Sequence, residues 1–354
     1  MTRVLHILPH RGGGAETYID RLQGLPGFEH ARAPLAAGPS PAAAAVSLPV
    51  RWPRAAQVAR RADLVHVHGD VTAMLALPLL HGRPAVFTTH GLHFLRRAQG
   101  ARRAAAVRGM RATVGAAGAT LCTSHAERDE LAALLGPRLA PRLTVVHNGV
   151  ALPAPAPAQR AATRAELGLT ERDVAVLFLG ELSERKGVLT AVAAASACAA
   201  GGAPVVLLVA GDGPQAGEVA GLASPAIRPL GFRRDGARLL AAAEVFVLPS
   251  TREGLSFAVL EAMAQGLALV VSDGPGNPEA VGDAGIVVPA GDVGAWKAAL
   301  STLACDRAER ERLGAAARER AATQFSIEQM LSGVAAAYDA VLTAPGRAAG
   351  AARA

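Results

Sequence analysis

The sequence predicts an α/β protein built as two parallel-sheet domains. Three observations carry that prediction. The chain has 354 residues, more than one ordinary hydrophobic core organises, so two domains are expected. Short Val-, Leu- and Ile-rich runs alternate with helix-length segments from end to end, as in a parallel sheet covered on both faces. Residues 151–158, ALPAPAPA, alternate Ala with Pro and lack periodicity, which reads as a semi-rigid linker.

The predicted first domain is 1–150. Arg3–Pro9 reads as a strand, followed by the loop His10-Arg11-Gly12-Gly13-Gly14 and a helix from Ala15. A glycine loop between strand and helix lets backbone amides of Gly13 and Gly14 approach an anion; a tight turn explains the glycines equally well. Glu16 in the first turn suits the helix dipole. Residues 34–50 are Pro/Ala-rich and specify nothing clear. Leu64–His68 is a strand with a helix over Thr72–Leu80, and Ala85–Thr89 is a strand ending at His90-Gly91-Leu92-His93. Thr120–Thr123 is a further strand, after which Ser124 caps a helix Ala126–Leu135, and Leu143–Val146 is the last strand.

The predicted second domain, 159–325, repeats the pattern. Val174–Leu179 leads into Gly180-Glu181-Leu182-Ser183-Glu184-Arg185-Lys186-Gly187 and a helix to Ala200. Val205–Ala210 leads into Gly211-Asp212-Gly213-Pro214. A strand near Ile227–Leu230 and a helix around Ala237–Ala243 follow. Val245–Leu248 is then a buried strand, with Arg252, Glu253 and Gly254 on a loop and Ser256 as N-cap of a helix Phe257–Gln265 ended by Gly266. Glu253 and Glu261 are separated by about 8 Å along the helix axis. The N–H groups from Leu255 and Ser256 to Ala258 lie between them at the positive dipole end, where a phosphate binds well. Strands at Ala268–Ser272 and Ile286–Val288 and helices at Val293–Leu303, Ala308–Thr323 and Ile327–Leu342 complete the chain. The segment 344–354, small-residue and basic, reads as a disordered tail.

Composition bounds the partners. Net charge is +7, from 36 basic and 29 acidic residues. Arg96, Arg97, Arg102, Arg103, Arg108 and Arg111 fall within one predicted helix, all but Arg102 on one broad face. A solvated face and attraction to an anionic membrane surface or anionic acceptor both account for them. Nucleic acid is not expected, since aromatics do not interleave with these arginines. Cys122, Cys198 and Cys305 form neither a pair nor a metal spacing, which fits a reducing cytoplasm. Val4–Leu8 is too short for a signal core, and Gly201-Gly202-Ala203-Pro204 splits the uncharged run Val188–Gly211, so no transmembrane helix is expected.

EGLSFAVLEAMAQG, an E-x7-E element, resembles the signature of family-4 glycosyltransferases of the GT-B type. The order G-G-x-E, T-x-H-G, N-G-V, G-x(5)-K-G, G-x-G-P, E-x7-E along nearly the whole chain strengthens the resemblance. It implies two Rossmann-like domains facing across a cleft, with the acceptor mainly on the first domain and a nucleotide-sugar donor mainly on the second. QFSIEQMLSGVAAAYDAVL resembles the family's final helix (326–343 here), which crosses back to the first domain.

The resemblance implies roles residue by residue. Glu253 takes hydroxyls of the donor sugar, Glu261 those of the ribose, and His90 contacts the sugar near the reacting carbon. Gly211 belongs to the donor-binding G-x-G-P element, and Glu16 to the acceptor side. From the chemistry itself, Lys186 with Arg185 stabilises the leaving diphosphate electrostatically, and the Gly13 and Gly14 amides add to that. The family retains anomeric configuration by front-face attack, so no general base is required. No DxD element stands out and no required cofactor or metal is expected. His66-x-His68 without a carboxylate partner makes a weak metal site. Two positions depart from the family: Glu181 stands where many members carry Arg, and Ala151 where an acid is common.

The expected function is a retaining, nucleotide-sugar-dependent transferase, cytoplasmic and peripheral at the inner membrane face. The alternatives are a sugar-nucleotide epimerase on the same fold and a catalytically silent nucleotide-sugar-binding protein.

Overall fold

The computed structural model describes residues 1–9, 13–36, 41–154 and 156–344. The chain forms two compact units: Met1–Gly149 with the segment from Ile327 onward, and Val150–Ser326.

In the first unit the strands are β1 (Thr2–Leu8), β2 (Phe28–Pro34), β3 (Leu64–His68), β4 (Ala85–Thr88), β5 (Ala119–Cys122) and β6 (Leu143–Val145). They make one 6-stranded parallel sheet in the order β2-β1-β3-β4-β5-β6. The chain runs outward from β1 to β2 and then returns to β3 on the other side. That reversal opens a crevice between β1 and β3 at the carboxyl ends, the usual ligand position in such sheets.

The second unit holds β7 (Val174–Leu179), β8 (Val205–Ala210), β9 (Ile227–Gly231), β10 (Val245–Leu248), β11 (Ala268–Ser272) and β12 (Ile286–Val288). Their order is β12-β11-β10-β7-β8-β9, again parallel. Here the switch point lies between β7 and β10. Both strands are almost entirely buried, with Phe178 and Phe246 inaccessible to solvent. Burial of such side chains stabilises by about 1.5–3 kcal/mol each, which is why these runs become central strands.

Several elements differ from expectation. The unassigned stretch 34–50 contains most of a helix, Pro41–Ala59, with Pro49 and Pro53 inside it. Prolines there disfavour a helix by about 3 kcal/mol in isolation, and tertiary contact through buried Ala55 and Ala59 overrides that preference. Strand β2 has no apolar run and forms as an edge by pairing with β1. The helix expected over Thr72–Leu80 is two, Asp70–Leu75 and Leu77–Leu80, with Pro78 in the first turn of the second. The linker's final residues, Pro157 and Ala158, open a helix Pro157–Glu166, because proline is well suited to a first turn. The expected tail from 345 onward, and His10, Arg11 and Gly12, lie outside the described residues.

The arginine helix is also corrected. Arg96 and Arg97 belong to a helix His93–Arg97, and the other four to Gly100–Ala116, with Ala98 and Gln99 extended between them. Gly100, at φ +52°, marks the break. The arginines therefore do not share one helical face. Arg96 pairs with Glu130 at 2.6 Å, while Arg103 and Arg111 donate to the carbonyls of Leu95 and Leu134.

The last helix, Ile327–Thr343, packs in the first unit. Met330, Val334, Tyr338 and Val341 form its buried stripe, and Gly118 lies so close to Val341 that no side chain fits there. Among the described residues no helix is long and apolar enough to cross a membrane.

Candidate active site

In the second unit, the loops after β7 and β10 meet at the switch point. A 3-10 turn, Glu184–Lys186, ends at Gly187, whose φ of +70° starts the helix Val188–Ala200. A Cβ at Gly187 would run into the Pro249 carbonyl, so glycine is required for the two loops to touch. Thr251 N donates to Arg185 O at 2.9 Å, stitching them together.

This contact delivers Lys186 to Glu253. Lys186 Nζ donates to Glu253 Oε1 at 2.7 Å, Ser250 Oγ donates to the same oxygen at 2.5 Å, and Arg185 reaches it at 3.5 Å. The two paired side chains are 14% and 8% exposed. Burial pushes the Glu253 carboxyl up, but Lys186, Arg185 and the hydrogen bonds outweigh it and hold the group below the ordinary glutamate value. Glu253 is thus an ionised acceptor at neutral pH. Arg185 is shared: its second arm pairs with Glu181 at 2.9 Å. The acid that departs from the family pattern therefore holds the very arginine beside Lys186.

Leu255 and Ser256 are buried at the start of the helix Phe257–Gln265. Ser256 occupies the N-cap position, but its side chain makes no capping hydrogen bond, contrary to expectation. Gly266 ends the helix in the left-handed conformation, as expected. Glu261 is half-buried on the second turn. Gly211, after β8, sits against the Gly180 carbonyl with no room for a Cβ, so its direct duty is to let the β7 and β8 loops pass.

A third loop supports the site without having been singled out. Ser272 Oγ at the end of β11 donates to the Ser250 carbonyl, and Asn277 Nδ2 donates to Ser272 Oγ at 2.9 Å. Gly276, at φ +86°, passes directly over Gly254. The one local signal for this loop was its Gly-Pro-Gly-Asn turn.

In the first unit, Gly13 is the N-cap of the helix Gly14–Leu22 at φ +77°, and both glycines are exposed. Glu16 pairs with Arg32 of β2 at 3.3 Å, and Arg32 also holds Asp20 at 2.5 Å. His90 lies just past β4 at φ +54°. It and Leu92 are the non-glycine residues with positive φ among those described, a conformation that costs about 1–3 kcal/mol and clusters at functional sites.

Two buried carboxylates hold this turn. Glu127 accepts from Gly91 N at 2.5 Å and from the Thr123 amide at 2.8 Å. Asp70 accepts from Phe94 N at 2.7 Å and Leu95 N at 2.9 Å. Burial raises both carboxyls above their ordinary range, partly offset by these hydrogen bonds. His90 Nε2 meets His68 Nδ1 at 2.9 Å, and burial together with His93 lowers its pKa to about 3. His90 is therefore a neutral imidazole.

His6 of β1 joins His66 and His68 of β3, bringing one ring nitrogen of each within 4.8 Å. Sequence spacing alone missed His6, because only strand register sets it opposite His66. Both ring nitrogens of each are already bonded to protein: His6 to His30 and His68, His66 to Tyr338 and Thr88, His68 to His6 and His90. A metal there would have to displace those bonds.

Comparison with known proteins gives a consistent result. Residues 173–306 match the family described as glycosyl transferases group 1, and residues 16–152 match glycosyltransferase family 4. The chain is 33% identical over 299 residues to alpha-maltose-1-phosphate synthase of Mycolicibacterium smegmatis, covering 76% of each. It is 32% identical over 297 residues to glycogen synthase of Mycobacterium tuberculosis, covering 78% of this chain and 69% of that one. Its fold matches HepE of Anabaena in complex with UDP-glucose with a TM-score of 0.78 at 19% identity, over 96% of this chain and 100% of the other.

Proposed function

This chain belongs to glycosyltransferase family 4, with the GT-B fold and a nucleotide-sugar donor, and we propose that it retains anomeric configuration while transferring a hexose to a hydroxyl. The donor is a UDP- or GDP-sugar, and the acceptor a glycan, a lipid-linked sugar or a small molecule. UDP-glucose is the first donor to test, because HepE binds it. The names of the synthase relatives favour polysaccharide or oligosaccharide building.

The observation carrying this reading is the Lys186–Glu253 pair at the β7/β10 switch point. A largely shielded ammonium there stabilises charge developing on a leaving diphosphate. An ionised Glu253 accepts hydroxyl protons from the sugar. The Leu255 and Ser256 amides start a helix whose dipole favours phosphate, Glu261 takes the ribose, and Arg185 adds charge beside Lys186. Of the first unit's residues, Gly13 and Gly14 are the proposed diphosphate contacts, His90 the proposed sugar contact and Glu16 the proposed acceptor contact. In front-face retention the departing phosphate oxygen takes the acceptor's proton as the new glycosidic bond forms and the old one breaks. No cofactor or metal enters this scheme.

The test is a thermal-shift screen of UDP-, GDP- and ADP-sugars followed by a transfer assay. A donor at a hundredfold its Kd stabilises by about 2.7 kcal/mol. Transfer by the wild type that is lost in Glu253→Gln and Lys186→Ala supports the assignment. Binding without turnover identifies a silent binding protein, and release of an isomeric nucleotide sugar identifies an epimerase.

A cytoplasmic enzyme at an anionic inner membrane face is the proposed location. Arg97, Arg102 and Arg108 are exposed on neighbouring helices, and about 1 kcal/mol per basic residue is available near such a surface. Unchanged vesicle binding after neutralising these three would rule that contact out.

A further inference from the structure

Four histidines of the first unit form an unbroken line of ring-to-ring hydrogen bonds. His30 Nδ1 meets His6 Nε2 at 2.8 Å, His6 Nδ1 meets His68 Nε2 at 2.8 Å, and His68 Nδ1 meets His90 Nε2 at 2.9 Å. Strand register produces the line. His30 on β2 stands level with Val4 of β1, and His6 is two residues further on. His68 on β3 is one residue past the Ile7–Val67 pair, and His90 is two past Thr88, which is level with His68. Each strand thus carries its histidine two residues nearer the carboxyl edge than the last.

Every contact is head to tail, Nδ1 of one ring to Nε2 of the next. A neutral imidazole has one N–H and one bare nitrogen. Only two proton arrangements satisfy all the contacts: each ring protonated at Nδ1, or each at Nε2. Burial lowers the pKa of all four rings below the ordinary imidazole value, so they are neutral at pH 7.

The far end chooses between the two. His30 Nε2 is buried and has no hydrogen-bond partner among the described residues. With the line protonated at Nδ1, that atom is a bare lone pair. With the line protonated at Nε2, it is a buried unsatisfied N–H, a defect native structures rarely carry.

We propose that His30, His6 and His68 are positioning residues that fix His90 as its Nδ1–H tautomer, making it a hydrogen-bond donor to an oxygen of the sugar. The sugar side of this statement rests on the function proposed above; the tautomer does not. His90 then selects a ligand oxygen with an open lone pair and does not act as a base. Replacement of His30 by an acceptor-only side chain reverses the whole line, since His6 must then donate from Nε2. A donor-only side chain preserves it.

The test is long-range 1H–15N NMR of the full chain labelled with 15N-histidine, comparing wild type, His30→Glu and His30→Lys, with His90→Gln to assign the signals. The expected wild-type His90 has a protonated Nδ1 and a bare Nε2. His30→Glu exchanges the two shifts at His90, and His30→Lys leaves them in place. A wild-type His90 protonated at Nε2, or a folded His30→Glu chain with unchanged His90 shifts, overturns the proposal. Should His30→Glu not fold, His68→Leu removes the donor to His90 Nε2, and retention of a pure Nδ1–H form there overturns it equally. In transfer assays His30→Glu lowers kcat/KM about tenfold, the equivalent of one hydrogen bond, while His30→Lys does not. Absence of transfer by the wild type would count against the function, and the tautomer readout would still decide the relay.

Discussion

Lys186 Nζ lies 2.7 Å from Glu253 Oε1, two nearly buried opposite charges delivered by loops that follow different strands. Removing Lys186 leaves the buried Glu253 carboxylate its Ser250 hydrogen bond and the longer Arg185 contact but not its closest counter-charge, and breaking such a pair costs up to about 3–5 kcal/mol. Lys186→Met is therefore expected to destabilise more than the double variant Lys186→Met/Glu253→Gln. Urea unfolding of the three proteins measures this, and a double variant no better than the single would remove the pair from the account.

Gly187→Ala forces a side chain into a left-handed backbone and against the Pro249 carbonyl. The conformation alone costs about 1–2 kcal/mol. The melting temperature should fall, and the stabilisation by donor should shrink with it, because the β7 and β10 loops separate. Wild-type donor binding in this variant would mean that the loop contact is dispensable.

Glu127→Gln keeps shape but turns an all-acceptor group, facing the Gly91 and Thr123 amides, into one carrying donors. A buried donor set against a donor costs about 1–3 kcal/mol. The expected result is lowered stability together with loss of transfer greater than loss of donor affinity, since the strained His90 turn relaxes while the second unit is untouched. Unaltered kcat would contradict this.

Acid should unfold the protein early. The folded chain binds protons at His6, His66, His68 and His90 less readily than the unfolded chain does. Their contribution is fully present above about pH 6.5, the unfolded value, and is lost as pH falls below it. One such ring costs about 2 kcal/mol between pH 6.5 and 5. Asp70 and Glu127, whose carboxyls burial raises, act in the opposite direction nearer the carboxylate range. Denaturant midpoints at pH 7 and pH 5 decide the matter, and equal midpoints would refute it.

The strands Val205–Ala210, Val245–Leu248 and Ala268–Ser272 were legible to the residue, because a strand buried on both faces is written as a continuous apolar run. Phe28–Pro34 was not, because an edge strand with polar faces carries no such run and exists by pairing with β1. Helix Pro41–Ala59 was hidden for a related reason: its prolines argue locally against what its packing enforces.

From sequence alone came the two-sheet α/β class, the family resemblance and the residue types of the site, since hydrophobic period and motif spacing are local properties of the chain. Tertiary structure alone decided that Arg185 is shared with Glu181 and that the arginines split between two helices. It alone set His30, His6, His68 and His90 in one line. Those facts depend on strand order, register and loop contact between residues far apart in the chain, and distance along a sequence does not encode proximity in space.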